Sequence, residues 1–282
     1  MTKEARGIIL MIGSVFCFAI VNVIAKMHPH IPVHELILFR SIVSFIFAAA
    51  FVKHYGISFW GNNKFWLIMR GLMGLTALLL FFSTVMNMPL ASASTIQYLS
   101  PVFTVLIATQ LNNQKVRHIQ WLFFLLAFIG TVLIKGFDTR VSTFWLLVGI
   151  TSAFFAGIAY NSIIKSKGTD HAMTIVLYNP MVAIPITGIW CLFDWTTPTL
   201  TEWIWMFVMG VFAHLAQYFM TLALHSDVAS KIAPWNYFGA IFAIIFGYFF
   251  FDEKVVLLSI FGMILVIVSV ILNSRVQTKP ND

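Results

Sequence analysis

His214, Gln217, Tyr218 and Thr221 recur at i, i+3, i+4 and i+7 inside an otherwise apolar run, so they share one face of a helix. An imidazole, an amide and two hydroxyls at mid-depth can bind and orient polar groups. In an apolar surrounding they need partners, which are either neighbouring helices, as packing contacts, or a hydrated cavity. His214 is also the candidate proton carrier, because imidazole titrates near neutrality and no carboxylate lies at the middle of any apolar run.

Two further runs carry a proline at mid-length. Ser94, Gln97, Pro101 and Thr104 fall on one face, as do Ser230, Pro234 and Tyr237, with Trp235 and Asn236 flanking the second proline. Proline removes a backbone donor and frees a carbonyl, which suits either a bend that lines a cavity or a static kink. Tyr178, Asn179 and Pro180, followed by Pro185, repeat the pattern. Arg40 and Arg70 each lie within an apolar run, at a cost of about 3 kcal/mol apiece at mid-bilayer. Arg70 is close enough to a run's end to reach headgroups. Arg40 is deeper and is expected to face the bundle, either pairing with Glu35 or another carboxylate or attracting an anionic group. Substrate-binding candidates are therefore His214, Gln217, Tyr218, Gln97, Pro101, Pro234, Trp235, Asn236, Tyr237, Arg40, Tyr178 and Asn179. Asn22, one turn before Lys26, reads as part of a polar helix end.

Other chemistries find less support. His28, His30 and His34 crowd with Glu35 into one short interval, a weak metal candidate whose spacing fits no standard zinc site. Cys17 and Cys191 stand in different runs and suggest buried thiols. No GxxxxGK[ST] loop occurs, so ATP is not the expected energy source, and no cofactor is implied. Asp194, Glu202, Asp227 and Asp252 are too scattered for a lipid-modifying active site, so the chain is not expected to be an enzyme.

The elements that must position these groups are helices in lipid. Of 282 residues, 60% are hydrophobic, with 29 Phe and 9 Trp against 17 Lys and Arg and 10 Asp and Glu. Ten apolar segments are expected to span a membrane: 7–26, 33–52, 65–86, 90–110, 118–135, 143–163, 172–193, 202–224, 229–251 and 255–272. Segments near this length must be helices, since barrel strands are about half as long and alternate. Lys3 and Arg6 precede the first run without a small-residue cleavage site after it, so that run is expected to stay as a helix. With both termini cytoplasmic, eleven basic residues fall on the cytoplasmic side and four outside, and the net charge of +7 reads as topogenic. A solvated basic face for nucleic acid is absent from this pattern.

The chain also repeats itself. Ser94-Thr95-Ile96 through Lys115-Val116 parallels Ser230-Lys231-Ile232 through Lys254-Val255, and Asn113-Gln114-Lys115-Val116 matches Asp252-Glu253-Lys254-Val255. Halves 1–136 and 137–282 each hold five spans, an odd number, so the second must enter the membrane inverted. The expected fold is an all-α membrane protein of ten transmembrane helices in two inverted five-helix repeats, forming one compact unit. Gly149, Ala153 and Gly157, and Gly239, Ala243 and Gly247, read as close-packing seams.

Phe39-Arg40, Arg70-Gly71 with Gly74, Pro89-Leu90-Ala91, Leu99-Ser100-Pro101, Ala233-Pro234-Trp235-Asn236-Tyr237, Gly247-Tyr248, Glu253 and Gly262 occur in an order that resembles the drug/metabolite transporter superfamily, EamA-type. The resemblance covers nearly the whole chain. Arg70-Gly71 and Ala233-Pro234 look most like the branch with S-adenosylmethionine, riboflavin and organic-anion carriers. Gln114 and Asn236 depart from the glutamates usual in the family. The resemblance implies a secondary transporter of a small polar or charged metabolite in the inner (plasma) membrane, working by alternating access around a central site between the repeats, as a monomer or homodimer among membrane lipids. A flippase-like carrier of an amphiphile is the alternative.

Overall fold

The computed structural model describes residues 3–111, 118–137, 139–224, 233–254 and 256–276. Gln114, Ser230 and Lys231 lie outside them, as does the side chain of Pro234. Helices α1 (Lys3–Met27), α2 (Val33–His54), α3 (Lys64–Asn87), α4 (Leu90–Gln97), α5 (Ser100–Leu111) and α6 (His118–Phe137) form the first repeat. The second comprises α7 (Thr143–Ser166), α8 (Ala172–Cys191), α9 (Leu200–Leu224), a 3-10 turn (Ala233–Tyr237), α10 (Phe238–Phe251) and α11 (Leu257–Arg275). Among the described residues, seven spans are long and apolar enough to cross a bilayer, α4 and α5 counting as one, and three shorter apolar helices bring the total to ten.

The fourth and ninth spans are irregular at their prolines, whereas α8 runs as one helix through Pro180 and Pro185. The fourth breaks between α4 and α5, where Leu99 N donates to Ile96 O at 3.0 Å and Val102 N to Leu99 O at 2.9 Å, a tightening to i→i−3 bonds around Pro101. The ninth opens as the 3-10 turn that contains Pro234 and continues as α10.

Packing between the repeats is reciprocal. The main contacts pair α1 with α9 and α3 with α7, which exchange when the repeats are swapped; α2 with α8 and α6 with α11 each map onto themselves. The side chains follow the same rule. Ser14 Oγ of α1 donates to Ala216 O of α9, and Ser152 Oγ of α7 donates to Ala77 O of α3, both at 2.7 Å. A Cβ on Gly71 would meet Val182, and one on Gly210 would meet Val43, at 2.5 Å in both cases. The same sequence interval separates Gly71 from Gly210 and Val43 from Val182. Glycine is required at both places because the neighbouring helix leaves no room for a side chain. These contacts form an inverted repeat about a pseudo-two-fold axis.

Each end of the bundle is tied by polar contacts. At the α1–α2 end Glu253 accepts from Leu90 N at 2.7 Å, capping the start of α4, and pairs with Lys26 Nζ at 2.6 Å. Lys26 also donates to Met88 O and lies 5.4 Å from the Phe251 ring centroid. It is thus a largely enclosed ion-pair partner and not part of an open polar helix end. At the opposite end Asp170 accepts from Asn62 N and Asn63 N, and the Tyr178 hydroxyl donates to Trp60 O at 2.7 Å.

Candidate functional site

A cavity of about 160 Å³ lies between the repeats, walled by α1, α2, α3, α4, α7, α8, α9, the 3-10 turn and α10. Its polar lining is Asn22, Arg40, Arg70, Ser94, Gln97, Tyr98, Ser100, Tyr160, Asn179, Gln217 and Asn236. Phe18, Phe81, Phe82 and Met220 supply the apolar wall. No carboxylate lines it among the described residues.

The helix irregularities place part of this wall. The break after α4 turns Tyr98 toward the axis, where its ring meets Tyr237 edge to face at 5.2 Å. Gly239 leaves space for the Tyr98 hydroxyl: a Cβ there would fall on that oxygen. Gln97 Oε1 accepts from Ser152 Oγ at 3.0 Å, which joins the α4 wall to α7.

The two arginines dominate the electrostatics. Arg40 is 2% exposed; its Nε and Nη1 have no hydrogen-bond partner among the described residues, and its guanidinium carbon sits 5.6 Å from the Phe82 ring centroid. Glu35 does not neutralise it, because Glu35 Oε2 accepts instead from Thr196 N at 2.9 Å. Arg70 is 6% exposed and lacks a partner at Nε. It does not extend to the headgroups. A Cβ on Gly74 would clash with its Nη1 and would lie 3.0 Å from Asn179 Nδ2, so Gly74 leaves the space that Arg70 and Asn179 share. Ser94 Oγ and Gln217 Oε1 likewise have no hydrogen-bond partner among the described residues. A cavity holding two uncompensated guanidiniums has the field of an anion site, at a cost of about 3 kcal/mol per charge when no counter-charge is present.

The structure brings together five of the sequence candidates on the cavity wall: Arg40, Gln97, Asn179, Gln217 and Asn236. Tyr237 stands directly behind, against Tyr98. The α9 stripe divides. Gln217 faces the cavity, whereas the His214 ring stacks on Phe47 and Tyr218, its Nδ1 3.4 Å from Ser44 Oγ, and Tyr218 packs on Phe51 in the α2 interface. Tyr178 faces the α2–α3 connection, and Trp235 stacks on Phe238. Pro101 sits at the helix break and does not line the cavity. His28, His30 and His34 turn to separate partners, Ile24 O, Glu202 and Asp194 O, and no group of metal-ligating residues forms among the described residues.

Arg70, Asn22, Ser94, Tyr98, Ser100 and Tyr160 join the wall without having been among the sequence candidates. Arg70 carried a usable signal, since a glycine one turn on lets a long side chain lie along its own helix instead of snorkelling.

Comparison with known proteins agrees with this architecture. Residues 5–136 and 143–275 both match the EamA-like transporter family. The pseudopaline exporter CntI of Pseudomonas aeruginosa (strain UCBPP-PA14) is 28% identical, over 96% of each chain. An S-adenosylmethionine uptake transporter of Rickettsia conorii is 24% identical, over 78% of this chain and 75% of its own. Human solute carrier family 35 member G1 is 25% identical, over 93% of this chain and 77% of its own. One solved crystal structure shares the fold with a TM-score of 0.67 at 13% identity, covering 96% of this chain and 95% of its own. With both halves matched, with ten membrane-spanning helices in two inverted repeats, and with relatives that are transporters, the chain is a multi-pass membrane transporter that belongs to the EamA-like transporter family.

Proposed function

We propose that the protein is a secondary carrier that moves a small polar or charged metabolite by alternating access, with its site in the cavity between the repeats. The observation that carries this reading is that one cavity is lined by polar groups from both repeats: Asn22, Arg40 and Gln97 from the first, Asn179, Gln217 and Asn236 from the second. Reciprocal packing supports it further, since two similar halves can meet in two related arrangements around one axis and so open the same space to opposite sides. The volume of about 160 Å³ is below that of pockets for drug-sized ligands, which favours a small solute over a lipid.

Relatives named for a pseudopaline exporter and for S-adenosylmethionine uptake support a metabolite cargo but run in opposite directions, so they leave import and export open. The positive-inside pattern supports cytoplasmic termini in an inner or plasma membrane. Lys53, Lys64, Lys165 and Lys167 gather at the α2–α3 end of the bundle, where α1 begins and α11 finishes. Division into repeats 1–136 and 137–282 belongs to the same reading.

Counterflow in proteoliposomes tests it. Vesicles preloaded with citrate, S-adenosylmethionine, riboflavin or an aromatic amino acid should take up the matching labelled solute saturably, and Gln217→Ala should raise the half-saturating concentration. Flux that rises linearly with concentration would mark a channel, and movement of labelled phospholipid alone would mark an amphiphile carrier.

A further inference from the structure

Resting on that reading, we infer that the cargo is an anion whose carboxylate or phosphate group docks between Arg40 and Arg70. Both guanidiniums are more than nine-tenths buried, both line the cavity, and three of their nitrogens have no hydrogen-bond partner among the described residues. Near the span ends polar partners are found in part: Lys26 pairs with Glu253, and His30 hydrogen-bonds to Glu202. The two cavity charges have no carboxylate beside them on the described wall. Arginine's fixed fork of donors matches two oxygens of one oxyanion, which a solute can supply and the wall does not.

The arrangement is asymmetric. Arg40 and Asn179 are separated by the same interval as Gly71 and Gly210, so they occupy equivalent places in the two repeats. The first repeat presents charge there and the second a neutral amide. Both arginines come from the first repeat, which would seat the anionic end of the solute off the axis, with Asn179, Gln217 and Asn236 facing its remaining polar groups. A cation without an acidic group would meet two positive charges and no carboxylate on the described wall.

A variant can mimic such an anion. Asn179 Nδ2 and Arg70 Nη1 both border the space left by Gly74, where a Cβ would clash with Arg70 Nη1 and lie 3.0 Å from Asn179 Nδ2. Asn179→Asp would place a carboxylate beside Arg70 without changing side-chain size.

The test uses the detergent-purified full chain in chloride-free buffer and follows thermal unfolding with sodium citrate, inorganic phosphate, trimethyl citrate and, as a cation without an acidic group, spermidine as probes. Saturable stabilisation is expected from citrate or phosphate, the stronger of the two identifying a carboxylate or a phosphate cargo, and none from the neutral ester or the cation. Arg40→Gln and Arg70→Gln should each weaken the anion response about tenfold or more. Asn179→Asp should be more thermostable than the wild type without any probe and should lose the response. Equal stabilisation by the ester or by the cation, no response to either anion, or an Asn179→Asp protein that is no more stable and still responds, would overturn the inference. Counterflow of a neutral or cationic solute with anions inert would remove the anion inference and leave the carrier reading standing. Anion binding without any counterflow would do the reverse.

Discussion

At the scale of single residues, two glycines in one helix separate packing from site chemistry. A Cβ on Gly71 would sit 2.9 Å from Tyr178 O and 2.5 Å from Val182 Cγ2, a clash that α3 and α8 must part to relieve. Gly71→Ala should therefore lower stability, by about 1–3 kcal/mol, seen as a reduced unfolding temperature in detergent. A Cβ on Gly74 instead displaces the end of a flexible side chain, that of Arg70. Gly74→Ala should keep the unfolding temperature near that of the wild type while impairing counterflow. His214 tests the opposite case. Its ring fills the α2–α9 interface against Phe47 and Ser44, so His214→Ala should destabilise the chain by about 1–3 kcal/mol and leave saturable counterflow and its response to a pH gradient intact. Loss of only the gradient response would return His214 to the role of proton carrier. The sequence pattern placed these polar groups at mid-depth but could not choose between their neighbours. A stripe at i, i+3, i+4 and i+7 is about 100° wide, so its two edges, Gln217 and Tyr218, can face different helices, and His214 lies on the Tyr218 side. Arg70 was misread for a similar reason, since depth alone suggested snorkelling and only the space beside Gly74 reveals the turn inward.

At the scale of elements, the broken fourth span depends on a residue from the other repeat. Pro101 disrupts the helix, and α4 is left as an eight-residue piece whose first turn needs an acceptor for its free N–H groups. Glu253 supplies one to Leu90 N while pairing with Lys26, and Gly247 leaves room for the carboxylate, since a Cβ there would come within 2.8 Å of Glu253 Oε2. Glu253→Ala would strip the cap and leave Lys26 without its counter-charge. The expected loss is about 3 kcal/mol or more, and Lys26→Met in the same chain should restore part of it. If the double variant is no more stable than Glu253→Ala, the ion pair is not what holds this end. The break itself was signalled by Pro101, and the matching ladder around Lys254 pointed to a repeat. That Glu253 reaches across to α4 needed the three-dimensional arrangement, because the two are 163 positions apart along the chain.

At the scale of the whole molecule, the legible part was the architecture: ten spans, and an odd number in each half that forces inversion. Hydropathy suffices for this because lipid allows only helices that satisfy their own backbone. What hydropathy could not supply was the pairing of α1 with α9 and of α3 with α7, which sets the cavity between the repeats and decides which polar residues meet there. Alternating access requires that this one cavity is reached from either side of the membrane in turn. A single cysteine at Ser94, a hydroxyl on the cavity wall with no partner among the described residues, in a chain whose Cys17 and Cys191 are replaced by alanine, reports on this. Sealed right-side-out and inside-out vesicles are then treated with a membrane-impermeant thiol reagent. Alternating access predicts alkylation from both sides, slowed from both by the solute that the carrier exchanges. Alkylation from one side only, or at a rate no solute alters, would contradict it.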